Sequence, residues 1–282
     1  MATISAADVK QLRETTGAGM MECKKALVET NGDMDAAITY LREKGIAGVA
    51  KKADRAANEG AIGIYIVEDG ASGAIIEVGC ETDFVGRNET FRELVADLAR
   101  NAALFGSSDV EAFLSAKTVN DDQKTVAELV ADGIATLKEN IVVKRIALLG
   151  AQNGVIGSYV HSDGRKGALV VAEGATTEEA KTAAREVAMQ AVALRAPYLN
   201  RTSVPPHVVE SEKAIYRAQA AEEGKPEAMQ DKIAEGRLNK FYKENTLVEQ
   251  AFIKDDKQSV QQIAKAVGVT IDNFIRFEVG QA

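Results

Sequence analysis

Gly60-Ala-Ile-Gly-Ile-Tyr-Ile-Val-Glu-Asp-Gly-Ala-Ser-Gly-Ala74 returns 94 residues later as Gly154-Val-Ile-Gly-Ser-Tyr-Val-His-Ser-Asp-Gly-Arg-Lys-Gly-Ala168, with eight of fifteen positions identical. In each copy an apolar run reaches Asp-Gly (Asp69-Gly70, Asp163-Gly164) and a second apolar run leaves it, which is the pattern of a β-hairpin. A helical pattern comes after each hairpin. The first carries Phe91, Leu94, Val95 and Leu98; the second carries Ala180, Ala184, Val187, Ala191 and Leu194. Two hairpin-plus-helix units predict an α+β core of two related subdomains, and two copies are too few for a solenoid.

The copies diverge past the second strand. In copy one that strand runs into Cys80-Glu81-Thr82-Asp83-Phe84-Val85, and a helical pattern takes over near Asn88. An aspartate and a phenylalanine are thereby presented side by side on a strand-to-helix turn, where a rigid scaffold can hold binding residues. The plainer reading has Asp83 capping a turn and Phe84 closing a core, since most phenylalanines are buried for packing. At the same offset copy two reads Thr176-Thr177-Glu178-Glu179, an ordinary helix N-terminus. The unit therefore forms without an Asp-Phe pair, which leaves the two readings of Thr82–Val85 evenly matched.

Ahead of the repeat, the first fifty residues predict three short helices. Ser5-Ala-Ala-Asp8 is a capping-box pattern with aspartate for the usual Glu or Gln, and Ile4 and Val9 flank it as a hydrophobic staple would. The helix stops before Gly17. Gly17-Ala18-Gly19-Met20-Met21 is a turn whose two methionines suit either core filling or an adaptable apolar contact. A second helix through Cys23, Ala26 and Leu27 ends at Asn31-Gly32, and Asp33 caps a third, through Ala37, Ile38 and Leu41, that ends at Gly45. Such a domain buries little surface and is marginal alone. Ala47 to Asn58 reads as a helical linker.

Between the copies, Asp109–Lys117 and Asp122–Leu137 predict two helices, and Asn140–Leu149 predicts a strand preceding copy two. Pro205-Pro206 opens a charged helix to about Glu222, Gly224-Lys225-Pro226 turns it, and a second segment runs to about Lys243. This αα-hairpin has few large apolar residues (Val208, Val209, Ile215, Ile233, Leu238, Phe241) and is expected to project from the body. A helix from Ser259 to Val267 and a strand Phe274–Val279 close the chain, the strand returning to the second subdomain and making the hairpin an insertion. The expected division is a helical domain over 1–47, a linker over 48–59, core subdomains over 60–139 and over 140–204 with 246–282, and the inserted hairpin over 205–245.

The 282 residues, 46% hydrophobic and 27% charged, suit a soluble globular protein. A net charge of −8 argues against nucleic acid as the main partner, because counterion release needs a Lys/Arg surface. Two distant cysteines, Cys23 and Cys80, make neither a disulfide framework nor a zinc cluster. Met1-Ala2-Thr3-Ile4-Ser5 lacks the basic and apolar regions of a signal peptide, and no apolar run approaches the ~18 residues of a membrane span, so a cytoplasmic protein is expected. There is no Gly-x-x-x-x-Gly-Lys-Ser/Thr, no Gly-x-Gly-x-x-Gly opening a helix and no His-Glu-x-x-His. No nucleotide, cofactor or metal site of the chain's own is expected. A thiol enzyme can be drawn from Cys80 and His161, but the pair lacks a third, orienting group. His207 carries no signal.

Taken together, Thr16-Gly-Ala-Gly-Met-Met-Glu-Cys-Lys-Lys-Ala-Leu27 with Asn31-Gly32-Asp33, then Cys80-Glu-Thr-Asp-Phe-Val85, Asn140-Ile141, Gly157-Ser-Tyr-Val-His161 and Phe274-Ile-Arg-Phe-Glu-Val279, resemble the bacterial elongation factor Ts family, guanine-nucleotide exchange factors of elongation factor Tu. The resemblance runs essentially end to end. It implies a three-helix, UBA-like N-terminal domain, a core of two repeated α+β subdomains and an inserted antiparallel helical hairpin. It further implies a non-enzymatic protein whose Thr82, Asp83, Phe84 and Val85 displace the partner's Mg²⁺. Gly17, Ala18, Gly19, Met20 and Met21 would contact the partner's GTPase domain, and at least one further partner domain would be touched. His161 is a weaker interface candidate, and the hairpin could contact the partner or a second copy of the chain. The chain departs from the family in ending just after Phe274–Val279, without the helical extension of some members. It also has Gln190 where many members carry a His, with one residue more before Pro197, so no role of a His there carries over.

Overall fold

The computed structural model describes residues 4–16, 18–50 and 52–281. Three helices come first: α1 (Ala6–Thr16), α2 (Met20–Glu29) and α3 (Met34–Ala50). The Ser5 backbone amide donates to Asp8 Oδ2 and the Asp8 amide to Ser5 Oγ, at 2.9 and 3.2 Å, which is the reciprocal box expected at the start of α1. Asn31 and Gly32, both at positive φ, end the second helix, and Asp33 caps α3 through the Ala36 amide. Val9, Leu12, Cys23, Ala26, Leu27 and Ala37 form the small core of this bundle, with Ile4 packed against it. The expected stop at Gly45 does not occur. Helix α3 runs on to Ala50 through Gly45 and Gly48, because an interior glycine costs only about 1 kcal/mol and does not by itself end a helix. The linker is consequently helical only to Ala50, and residues 52–58 are turn and extended chain.

The first repeat supplies β1 (Glu59–Ile66) and β2 (Ser72–Cys80), then α4 (Asp83–Arg87), α5 (Glu89–Phe105), α6 (Val110–Ser115) and α7 (Val126–Leu137). Helix α7 starts four residues later than expected. Thr125 and Glu128 make the capping box that Asp122 does not. Strand β3 (Val142–Gly150), which precedes copy two as the sequence predicts, pairs antiparallel with β2 and completes a sheet of order β1-β2-β3.

The second repeat supplies β4 (Gly154–Val160), β5 (Lys166–Gly174) and α8 (Glu178–Leu194). The inserted hairpin is α9 (Pro206–Glu222) and α10 (Glu227–Asn245), antiparallel and laced by Lys213–Glu235, Arg217–Asp231 and Arg237–Glu223. A small ribbon of β6 (Ala251–Phe252) and β7 (Asp255–Ser259) comes next, then α11 (Val260–Ala266) and β8 (Val269–Glu278). The last strand pairs with β5, giving the order β4-β5-β8. Leu194 is exposed at the end of α8, where Arg195 turns left-handed, while the other expected helix positions are buried.

The two sheets pack face to face. Ile62, Ile75 and Leu149 of the first meet Ile156, Leu169, Val171 and Phe277 of the second. The opposite face of each sheet is covered by a helix. Helix α5 lies on Ala61, Ala74, Ile76 and Val78; helix α8 lies on Val155, Ala168, Val170 and Ala172. Strands covered on both faces explain why β2 and β5 read as almost continuous apolar runs. The two turns reach across to each other: the Ile156 amide donates to the Gly70 carbonyl (3.1 Å) and the Ile62 amide to the Gly164 carbonyl (2.8 Å). These are equivalent positions of the two copies, so the layers are related by an approximate two-fold.

Candidate functional site: a projecting turn at the end of β2

Past Cys80 the chain leaves the sheet and makes a single helical turn, α4, where the sequence predicted only a connection. Thr82 is its N-cap, its Oγ1 accepting from the Val85 amide at 3.3 Å. Asp83 is therefore not the capping residue; its carboxylate pairs along the turn with Arg87 at 3.1 Å. Gly86 is buried, and a Cβ there would lie 3.3 Å from the Gly60 carbonyl and 3.6 Å from Cys80 Sγ, which brings the turn close against the start of β1. Val85 packs on the first core.

Phe84 does not close that core. It is 82% exposed, the most exposed large apolar side chain among the described residues. Phe91, near the start of α5, occupies the buried position instead. The core-filling reading of Phe84 is thereby overturned.

The turn is held from a distance. Glu139 Oε2 accepts the amides of Glu81 and Thr82, both at 3.0 Å, and Glu139 Oε1 accepts the Thr82 hydroxyl at 2.6 Å. The Asn140 amide donates to Glu81 Oε1 at 2.7 Å, and Asn140 Nδ2 donates to the Arg55 carbonyl at 2.8 Å. Sequence reasoning marked Asn140-Ile141 but missed Glu139. Its only signal is adjacency to that motif.

Of the N-terminal candidates, Gly17 lies outside the described residues. Ala18 packs on the bundle core, and Gly19 is the extended N-cap of α2. Met20 and Met21 stand on the first turn of α2, 55% and 75% exposed. They fill no core. His161 is exposed at the tip of the second hairpin, its Nδ1 3.0 Å from the Tyr159 hydroxyl, and it borders a shallow groove of about 240 Å³ with Ile62, Arg92 and Val160.

Cys80 is fully buried, and its thiol donates to the Thr82 carbonyl at 3.2 Å. Burial, with the carboxylates of Glu139 and Glu59 adding to it, pushes its pKa up to about 12. A thiol held protonated is a poor nucleophile. Gln190 is also fully buried: its Nε2 donates to Gln250 Oε1 (3.2 Å) and the Ala251 carbonyl (3.1 Å), and its Oε1 accepts from the Ile253 amide (2.9 Å). It ties α8 to the β6–β7 ribbon. Among the described residues no group of three acidic, Cys or His side chains is placed to hold a metal, and no helix is long and apolar enough to cross a membrane.

Comparison with known proteins agrees with this architecture. The family model described as elongation factor TS matches residues 81–281. The elongation factor Ts of Clostridium tetani (strain Massachusetts / E88) is 46% identical over 285 residues, covering 99% of this chain and 94% of its own length. That of Clostridium botulinum (strain 657 / Type Ba4) is 46% identical and that of Clostridium kluyveri 45%, each covering 99% of this chain and 93% of its own. A match of this identity along nearly the whole chain leaves one assignment: the chain belongs to the elongation factor Ts family of translation elongation factors.

Proposed function

We propose that this chain is a cytoplasmic, non-enzymatic guanine-nucleotide exchange factor. It binds elongation factor Tu in its GDP form, disturbs the Mg²⁺ and phosphate site and promotes GDP release so that GTP can rebind. The observation that carries this reading is Phe84, an apolar side chain almost wholly in solvent on a turn that is itself rigidly clamped. An exposed aromatic on a preorganised support loses little conformational entropy on insertion into a partner. Beside it, the carboxylate of Asp83 can compete for groups around the partner's cation.

A Mg²⁺ held by one or two protein oxygens and phosphate oxygens is sensitive to small shifts of those ligands. A phenyl ring pushed between elements near the phosphates repacks them, because packed cores switch between arrangements and do not deform smoothly. Thr82 caps the turn, Val85 anchors it, and Met20 and Met21 with Gly17, Ala18 and Gly19 supply a second, adaptable contact. His161 lies on a third surface. The protein breaks no bond. It acts by binding the nucleotide-free partner better than the GDP-bound one, and GDP must weaken its binding by the same factor.

For the layout we infer a helical N-terminal unit over 1–47, a connecting segment over 48–59 and an inserted hairpin over 205–245. Since β3 pairs with β2, the division between the core subdomains is better drawn near Gly150 than at 139. A thiol enzyme built on Cys80 and His161 is disfavoured by the burial and raised pKa of Cys80.

The test is release of a fluorescent GDP analogue from elongation factor Tu, chased with excess GDP in the presence of magnesium. Wild type should accelerate release, and Asp83→Ala/Phe84→Ala should lose most of that acceleration while still binding the nucleotide-free partner. A double variant as active as wild type would refute the Thr82–Val85 mechanism, and an inert wild type would refute exchange activity itself.

A further inference from the structure

Three consecutive residues between α7 and β3 hold three separate parts of the molecule. Glu139 takes the amides of Glu81 and Thr82 and the Thr82 hydroxyl, a two-oxygen, charge-assisted grip on the projecting turn. Asn140 returns a bond to Glu81 and fixes the segment entering β1 through the Arg55 carbonyl. Lys138 points the other way. Its Nζ reaches both carboxylate oxygens of Glu22, at 3.0 and 3.1 Å, one residue beyond Met21. Glu22 Oε2 in turn accepts the Gly19 amide at 3.2 Å and fixes the entry to α2. Lys138 does this from a left-handed backbone (φ 64) that glycine would adopt without strain.

We propose that Lys138-Glu139-Asn140 is a positioning clip that sets the Asp83–Phe84 turn and the Met20–Met21 surface in one register toward the partner. It rests on the exchange-factor reading above. Glu139 and Lys138 are positioning residues; neither enters the partner. In the second repeat the residue equivalent to Glu81 is Ala175, and its amide donates to the main-chain carbonyl of Gly268 (3.1 Å) with no carboxylate involved. The carboxylate of Glu173 there holds the Gln152 and Asn153 amides (2.7 and 2.8 Å), on the segment entering its own hairpin. A carboxylate grip on the residues that leave the second strand, from 57 residues away, belongs to the copy that carries the exposed phenylalanine. Thr82 Oγ1 passes the constraint on, since the hydroxyl that donates to Glu139 also accepts the Val85 amide that starts α4.

The test combines amide hydrogen exchange of the free full-length protein with stimulated GDP release over a range of factor concentrations. Glu139→Ala should speed exchange roughly tenfold at residues 81–85 while the rest of the first sheet stays protected. It should lower the maximal release rate by about tenfold while the half-saturating concentration stays within about twofold. Glu139→Gln, which keeps a carbonyl oxygen for the two amides, should recover most of both effects. Lys138→Gly relieves the backbone strain but cuts the tie to Glu22, so it should raise the half-saturating concentration roughly two- to fivefold with no loss of thermal stability. The swapped pair Glu22→Lys/Lys138→Glu should act better than either single change.

Wild-type release parameters in Glu139→Ala would overturn the proposal. So would faster exchange across the whole first sheet with release lost only in proportion to unfolded protein, which would make Glu139 a stability residue. Failure of the exchange reading looks different: wild type itself would then leave GDP release unchanged, while the local hydrogen exchange at residues 81–85 would still report the grip without any GTPase.

Discussion

Gly63 and Gly157 occupy the same place in the two copies and meet the same obstacle. A Cβ on Gly63 would lie 2.8 Å from the Val95 carbonyl of α5, and one on Gly157 would lie 2.2 Å from the Ala184 carbonyl carbon of α8. Both helices approach their sheets too closely for any side chain, and a backbone neighbour cannot swing aside. Gly157→Ala should cost about 3 kcal/mol, the upper end of overpacking penalties, read from the urea midpoint. Cys80 offers a test with pH. Its folded pKa is raised, so burying the neutral thiol contributes stability that is intact below the unfolded pKa near 9 and is lost as pH rises towards 12. Cys80→Ala, less stable than wild type at pH 7 through lost packing, should close the gap by about 1 kcal/mol at pH 10. Thiol reagents should find both cysteines protected until the protein unfolds, since Cys23 is buried too.

At the scale of elements, the helical hairpin is an appendage on a pinned base. Its own buried side chains are Ala220, Ala234 and Leu238, and it meets the body where Leu247 and Val248 donate to the carbonyls of Tyr198 and Leu199 at 2.8 and 3.0 Å. Replacing residues 206–244 by a short flexible linker should leave the melting temperature of the remainder within a few degrees, because closing a loop of either length costs similar entropy. A collapse of circular dichroism in the shortened protein would show that the hairpin is part of the core. Elements of this kind were legible in the sequence wherever the signal was local: Ser5 with Asp8, Asp33, Pro205-Pro206 and Ser259 each mark a helix start that the structure reproduces within a residue. What escaped was decided by tertiary partners. Strand β3 pairs backward with β2, though its sequence leads forward into β4. The one-turn helix α4 exists because Thr82 is oriented by Glu139, and no window around residue 82 contains that glutamate. The exposure of Phe84 was half legible: comparison with Thr176–Glu179 showed that the unit did not require it, but not that it faces solvent.

At the scale of the whole molecule, the two copies are bound by more than their shared apolar layer. Glu77 of β2, its side chain 6% exposed, accepts from Arg145 Nε at 2.7 Å and from the Gly280 amide, just past β8, at 3.0 Å. Arg145 itself lies 4.0 Å over the Phe277 ring and donates to the Glu278 carbonyl at 3.2 Å. One buried carboxylate thus joins the first sheet to the last strand of the second. Removing it takes the counter-ion from Arg145, which keeps the Glu278 carbonyl, and leaves the Gly280 amide without its acceptor, a loss of about 2 to 3 kcal/mol for a half-buried pair. Glu77→Ala should therefore lower the stability of both sheets together, although the substitution is in only one. Tyr65 and Tyr159, equivalent positions in a chain without tryptophan, are natural places for reporters. With Tyr65→Trp in one protein and Tyr159→Trp in another, urea unfolding should give coincident transitions, and Glu77→Ala should move both to lower urea by the same amount. If only the first-sheet reporter moved, the sheets would be separate cooperative units, and the reciprocal bonds of Gly70 and Gly164 would be contacts without energetic consequence.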